Sequence, residues 1–100
     1  MVKVENKRNY SGPGVYIGRP SILGNPFSVE QYGREGCIER YRAWLKAEYA
    51  KRGAVYAEIQ RLVALAQQGD LVLVCWCAPE PCHGDVIQRV VEHLVARRSA

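Results

Sequence analysis

Long apolar runs are missing from this chain of 100 residues. The longest, Leu71 to Ala78, is far short of the roughly 20 residues that a membrane helix needs. The beginning, MVKVENKRN, has no apolar segment of the signal-peptide kind. A cytoplasmic location and no membrane partner are therefore expected. Internal repeats, low-complexity tracts and linkers are also lacking, and the length suits one domain over residues 1–100. Neither a lysine-bearing phosphate loop nor G-x-G-x-x-G occurs, which excludes two common nucleotide-binding signatures.

What is present is ordinary in bulk. With 48% hydrophobic and 24% charged residues the chain reads as globular, not disordered. Fourteen basic against ten acidic residues give a formal charge of +4 and a pI near 9.0. That balance leans towards anionic partners, nucleotides or nucleic acid among them. Arg97 and Arg98 contribute to it, yet they also suit the negative end of a helix. Four cysteines in a reducing compartment point to metal binding or thiol chemistry more than to disulfides.

Taken in order, Val2 to Glu5 alternate and predict a first strand, and Val15 to Ile17 predict a second. Gly12, Pro13 and Gly14 mark a turn between them. The stretch Gly18–Pro26 is a shaped loop. Ser28 and Gln31 have capping-box spacing for one helical turn, closed at Gly33. A helix follows from Arg34 to about Arg52 on the stripe Ile38, Tyr41, Leu45, with Trp44 beside it and Gly53 as its stop. A second helix covers Ala54 to Gln68. Leu71 to Cys77, nearly all apolar, predicts a strand covered on both faces. A last helix runs from His83 to about Arg97 on a wide apolar stripe. Strands interleaved with helices imply an α/β fold: a small, mostly parallel sheet of three to four strands flanked by helices in a Rossmann-like, three-layer arrangement. Ligands of such sheets bind outside the carboxyl ends of the strands. Both irregular loops, Gly18–Pro26 and Ala78–His83, leave such ends.

The thiol cluster in LVLVCWCAPEPCHGD permits three readings. A metal site, zinc or iron, has the ligand types in Cys75, Cys77, Cys82 and His83. Yet two positions along a strand rise roughly 6.8 Å, whereas sulfurs on one zinc sit about 3.8 Å apart. Only a strand that ends or bends at Cys77, which Pro79 makes possible, reconciles them. An activated thiol is the second reading. Cys82 at the start of a helix gains from unpaired N–H groups and the dipole, with His83 or Asp85 to handle protons. Asp85 also has a bland role, because acids stabilise helix starts. Plain packing is the third, since free cysteine behaves as a small apolar group. Cys37 and both tryptophans, Trp44 and Trp76, are expected in the core, and His93 is given no role.

In the first loop, GRPSILGNPF, glycines allow close backbone approach and Arg19 offers a planar fork for phosphate or carboxylate. Ser21 and Asn25 add neutral hydrogen-bonding groups. Alternatively the loop is a rigid turn whose arginine pairs with a carboxylate of the same chain.

YIGRPSILGNPF, YGREGCIERYRAWL and CWCAPEPCHGDVI together resemble the domain of unknown function 4326 family of bacteria and their phages. The likeness covers most of the chain. It implies a compact α/β domain marked at Gly18, Arg19, Ser21, Gly24, Asn25 and Pro26. In the second loop it marks Cys75, Cys77, Pro79, Cys82, His83, Gly84 and Asp85. The family's name assigns no activity. A strand, a cysteine and a Cys-His pair opening a helix is more faintly similar to the domain of unknown function 488 family. That family usually has arginine after the histidine. Here Gly84 stands there, so no anion-binding arginine is carried over.

The expectation is a cleft that binds a small anionic, nucleotide- or nucleoside-like ligand. Gly18, Arg19, Ser21, Gly24, Asn25 and Cys75 would contact it, with Cys82, His83 and Asp85 at any reacting centre. No cofactor is expected unless the metal reading holds. A structural zinc or iron site is the alternative, and a nucleic-acid adaptor using the basic surface is another.

Overall fold

The computed structural model describes residues 1–78 and 80–99 of the protein. Three strands, β1 (Val2–Asn6), β2 (Val15–Tyr16) and β3 (Leu71–Cys75), form a parallel sheet in the order β1-β3-β2. Val2 lies opposite Leu71 and Asn6 opposite Cys75, while Val15 pairs with Leu73 and Tyr16 with Val74. Because every strand runs the same way, Asn6, Tyr16 and Cys75 end at one edge. Lys7 N–H to the Cys75 carbonyl (2.7 Å) and Ile17 N–H to the Val74 carbonyl (3.0 Å) extend the ladders to that edge.

The helices are α1 (Val29–Ala50), α2 (Ala54–Gln68) and α3 (His83–Ser99). Ser28 caps α1, its Oγ accepting from Gln31 N–H at 3.0 Å. One turn later Gly33 departs from helical geometry, with φ 72° and ψ 167°, and the long part of the helix sets off from Arg34. The capping box and the break fall where the sequence puts them. The stop at Gly53 does not. Arg52 takes the left-handed conformation at φ 57°, and Gly53 caps the start of α2 instead. Two helices joined this tightly need the chain to reverse before the glycine is reached.

Each helix turns one stripe inward. Cys37, Tyr41 and Leu45 come from α1, Val55, Ile59, Leu62 and Val63 from α2, and Val86, Ile87 and Val91 from α3. All but Cys37 join one core with Val2, Ile17, Leu71, Leu73 and Cys75. Removing a side chain such as Leu73 from water contributes roughly 1.5–3 kcal/mol.

The helices pack against one another and share their core with Leu71, Leu73 and Cys75 on one face of β3. The small parallel sheet flanked by helices is as expected. The opposite face is covered by backbone of the β1–β2 segment, where Gly14 lies against Val72 and Val74. β3 is therefore shielded on both faces, as its composition predicts. Trp76, just past the end of β3, escapes that cover. It is 52% exposed, which corrects its expected place in the core. Trp44 does pack against the core. No helix of the described residues is long and apolar enough to cross a membrane.

Candidate functional site

At the carboxyl edge the two loops meet. The imidazole of His83, the first residue of α3, has Nε2 2.7 Å from the Ile17 carbonyl. A carbonyl only accepts, so the proton sits on Nε2 and Nδ1 is bare. The same ring stands edge-on to Tyr41, with centroids 5.0 Å apart. Burial holds its pKa below the ordinary histidine value. From the far side of the sheet edge, Asn6 Nδ2 donates to the Ala78 carbonyl at 2.7 Å and to the Trp76 carbonyl at 3.1 Å. Trp76 Nε1 donates to Tyr16 Oη at 3.1 Å, and that hydroxyl donates to the Arg19 carbonyl at 2.9 Å. Three strand ends and one helix start are thus tied into a rim.

The rim encloses a cavity of about 360 Å³, within the range of small-ligand sites. Arg19 lines it from the first loop and Arg34 from α1. Arg19 Nε donates to the Asn25 carbonyl at 2.7 Å and Nη2 to the Phe27 carbonyl at 3.1 Å. Its partners are backbone carbonyls, not the carboxylate that a rigid turn was expected to supply. Two of its five N–H donors are used. Arg34 Nη1 donates to the Pro81 carbonyl at 3.0 Å, joining α1 to the second loop. Tyr16, Phe27 and Trp76 supply aromatic wall, and Cys37, Cys77, Cys82 and His83 line the remainder. Among the described lining residues there is no carboxylate.

Of the residues singled out in the sequence, Gly18, Arg19, Asn25, Cys77, Cys82 and His83 line this cavity. Ser21, Gly24, Cys75 and Asp85 do not. Ser21 Oγ is buried without a partner among the described residues, and Gly24 sits where the loop folds back on Arg19. Asn25 shapes the loop as much as it lines the cavity, its Oδ1 accepting from Phe27 N–H at 2.9 Å. Pro79 lies outside the described residues. Arg34, Tyr16, Phe27 and Trp76 were not singled out. The signal for Arg34 was its position directly after the Gly33 break.

Cys82 occupies the cap position of α3 and behaves there like a capping serine. Its Sγ accepts from Gly84 N–H at 3.3 Å, while Asp85 Oδ2 accepts from Cys82 N–H at 3.1 Å. This is a capping box with sulfur in the hydroxyl's place. Gly84 is in a close approach: a Cβ there would stand 3.0 Å from both Ile17 Cδ1 and Val4 Cγ1, and these side chains would have to shift slightly to admit it. Neither His83 nor Asp85 makes a hydrogen bond to Cys82 Sγ. The sulfur's other neighbour is Cys75 Sγ, 3.4 Å away. The pair shares a proton. Donation from Cys82, helped by the backbone N–H groups of Cys77 and Ala78, brings Cys75 down to about 6. Cys82 moves up, because its proton is held by Cys75 and its site is buried.

The strand ends at Cys75, so Cys77 belongs to the loop. Among the described residues no three His, Cys, Asp or Glu side chains are grouped to hold a metal ion. With His83 Nε2 committed to Ile17, the four possible ligands do not converge on one centre.

The family model of domain of unknown function 4326 matches residues 2–93. The chain belongs to that family. It is also 32% identical over 94 residues to the uncharacterized 12.4 kDa protein in the nrdA-td intergenic region of Enterobacteria phage T4, covering 94% of this chain and 81% of that protein. No solved structure matches. For this member of the 4326 family, the matched stretch spans both loops and every residue of the rim.

Proposed function

We propose that the cavity binds a small anionic ligand of nucleotide or nucleoside type. The observation that carries this reading is the convergence of two guanidinium groups on an aromatic-walled cavity without a carboxylate in its described lining. Guanidinium forks suit phosphate, and the faces of Trp76, Tyr16 and Phe27 suit a base. The unprotonated Nδ1 of His83 adds an acceptor beside them.

Isothermal calorimetry with a nucleoside monophosphate, the bare nucleoside and inorganic phosphate tests the proposal. The monophosphate is expected to bind most tightly. Arg34→Gln should weaken it about ten-fold or more, because a charge-assisted hydrogen bond contributes about 1.5–3 kcal/mol. Arg34 is a better probe than Arg19, whose guanidinium also braces its own loop. Trp76→Ala should cost a similar factor through lost stacking. Absence of heat with all three ligands at millimolar concentration, across the four bases, would sink the reading. The half-exposed Trp76 also favours a second reading, a single-stranded nucleic acid laid across the rim. Tighter binding of a short oligonucleotide than of any mononucleotide, falling steeply with salt, would select it.

A further inference from the structure

Cys75 and Cys82 are two thiols whose sulfurs touch, 3.4 Å apart, at the junction of β3 and α3. Both are buried, at 1% and 3% exposure. They differ in one respect: Cys82 forms part of the cavity wall, and Cys75 lies behind it. A reagent in the cavity meets Cys82 first and Cys75 only through Cys82. The other two cysteines have different surroundings. Cys37 Sγ is turned to its own helix, 3.4 Å from the Arg34 carbonyl. Cys77 lines the cavity, partly exposed, and makes no sulfur–sulfur hydrogen bond among the described residues.

We propose that Cys75 and Cys82 form a redox-active dithiol, with Cys82 exchanging with small disulfides in the cavity and Cys75 resolving the product. The chemistry balances with a low-molecular-weight disulfide, RSSR, as oxidant. Cys82 Sγ attacks one sulfur of RSSR, the S–S bond breaks, and RS⁻ departs. The proton of Cys82 passes to Cys75, the sulfur it already faces. Cys82 now carries SR. Cys75 then gives up that proton to the departing RS⁻ and attacks Cys82 Sγ, forming the Cys75–Cys82 disulfide and expelling the second RS⁻. The two thiols lose two electrons and RSSR gains them. Sharing one proton between the sulfurs is what readies the pair. Cys75, in contact with Cys82, serves first as its base and then as the resolving nucleophile.

The cap geometry supports this division of labour. Gly84 N–H points at Cys82 Sγ, so the sulfur is held in place by the start of α3 while its neighbour changes. In the other direction, a small thiol in the cavity attacks Cys82 and regenerates both thiols.

The test uses the reduced, folded wild-type protein and 2-hydroxyethyl disulfide. This probe carries no charge, so the outcome stands apart from the anion-binding reading. Free thiols are blocked with one alkylating label, the protein is reduced, and newly released thiols take a second. Fragmentation of the peptide that holds Cys75, Cys77 and Cys82 then reads each cysteine separately. The expected result is the second label on Cys75 and Cys82 together, with Cys37 and Cys77 carrying the first. The free-thiol count falls from four to two. Cys75→Ser should stop the reaction at a stable hydroxyethyl adduct on Cys82. Cys82→Ser should leave Cys75 at least ten-fold slower to react. Oxidation of Cys77 in preference to Cys75, or a Cys82 that reacts only after unfolding in urea, overturns the proposal. Those readouts need only the wild-type chain and so hold even if a variant fails to fold.

Discussion

His83 shows how one side chain ties stability to the site. Its ring is neutral when folded, held so chiefly by burial, while an unfolded histidine titrates near 6.5. Below that pH the unfolded chain takes up a proton that the folded ring resists. The contribution is therefore present above about pH 6.5 and is lost as pH falls through the lower folded value. His83→Gln keeps a donor for the Ile17 carbonyl and removes the titration. Urea unfolding at pH 7, 6 and 5 should show the variant losing less stability than the wild type over that range. Parallel losses would mean that the ring does not titrate differently on folding. At this scale the sequence was informative about residue type more than about role. Cys82, His83 and Arg19 were legible from their loops. Their partners were not, because an imidazole on Ile17 and a guanidinium on Asn25 and Phe27 answer to backbone carbonyls, which leave no mark in composition.

Among the elements, α1 carries the most information per residue. The turn capped by Ser28 and the long helix from Arg34 are separated by Gly33, whose conformation is almost restricted to glycine. Nothing lies within 4 Å of where a Cβ would be. Gly33→Ala should therefore cost about 1–3 kcal/mol through backbone strain alone, a drop of several degrees or more in melting temperature for a domain of this size. An unchanged melting temperature would show that the break relaxes freely. The variant should also misplace Arg34, and with it the second guanidinium of the cavity. The capping-box spacing and the glycine made this break readable in the sequence. Arg52 did not announce itself, since a left-handed arginine is imposed by how closely α1 and α2 must join. Trp76 is a mixed case. Strand alternation already placed it opposite Cys75. What the pattern could not reveal was that this side of the sheet has only a loop to cover it.

For the molecule as a whole, β3 is the element that both other strands and the helices α2 and α3 contact. It is bonded on both edges, packed by helices on one face and by the Gly14 backbone on the other. Amide exchange should be slowest at Leu73 to Cys75 and much faster in Arg8–Gly14, where strand bonding is absent. Equal rates in the two segments would contradict a structure centred on β3. Central placement of this strand was legible from its apolar run, and the parallel sheet from the alternation of strands and helices. What covers each face of the strand was not, because shielding by a loop and shielding by a helix make the same demand on the residues beneath.

The order β1-β3-β2 bears on how the chain comes together as it is made. The first two strands are not neighbours, so neither finds a partner until Leu71–Cys75 has been synthesised. Val2 must wait for Leu71, a closure across most of the polypeptide and slow for that reason. The strand that completes the sheet brings Cys75 with it, and the helix that covers the sheet begins at the sulfur beside it. Assembly of the architecture and assembly of the thiol pair are thus one late event, and a nascent chain halted before residue 70 would possess neither.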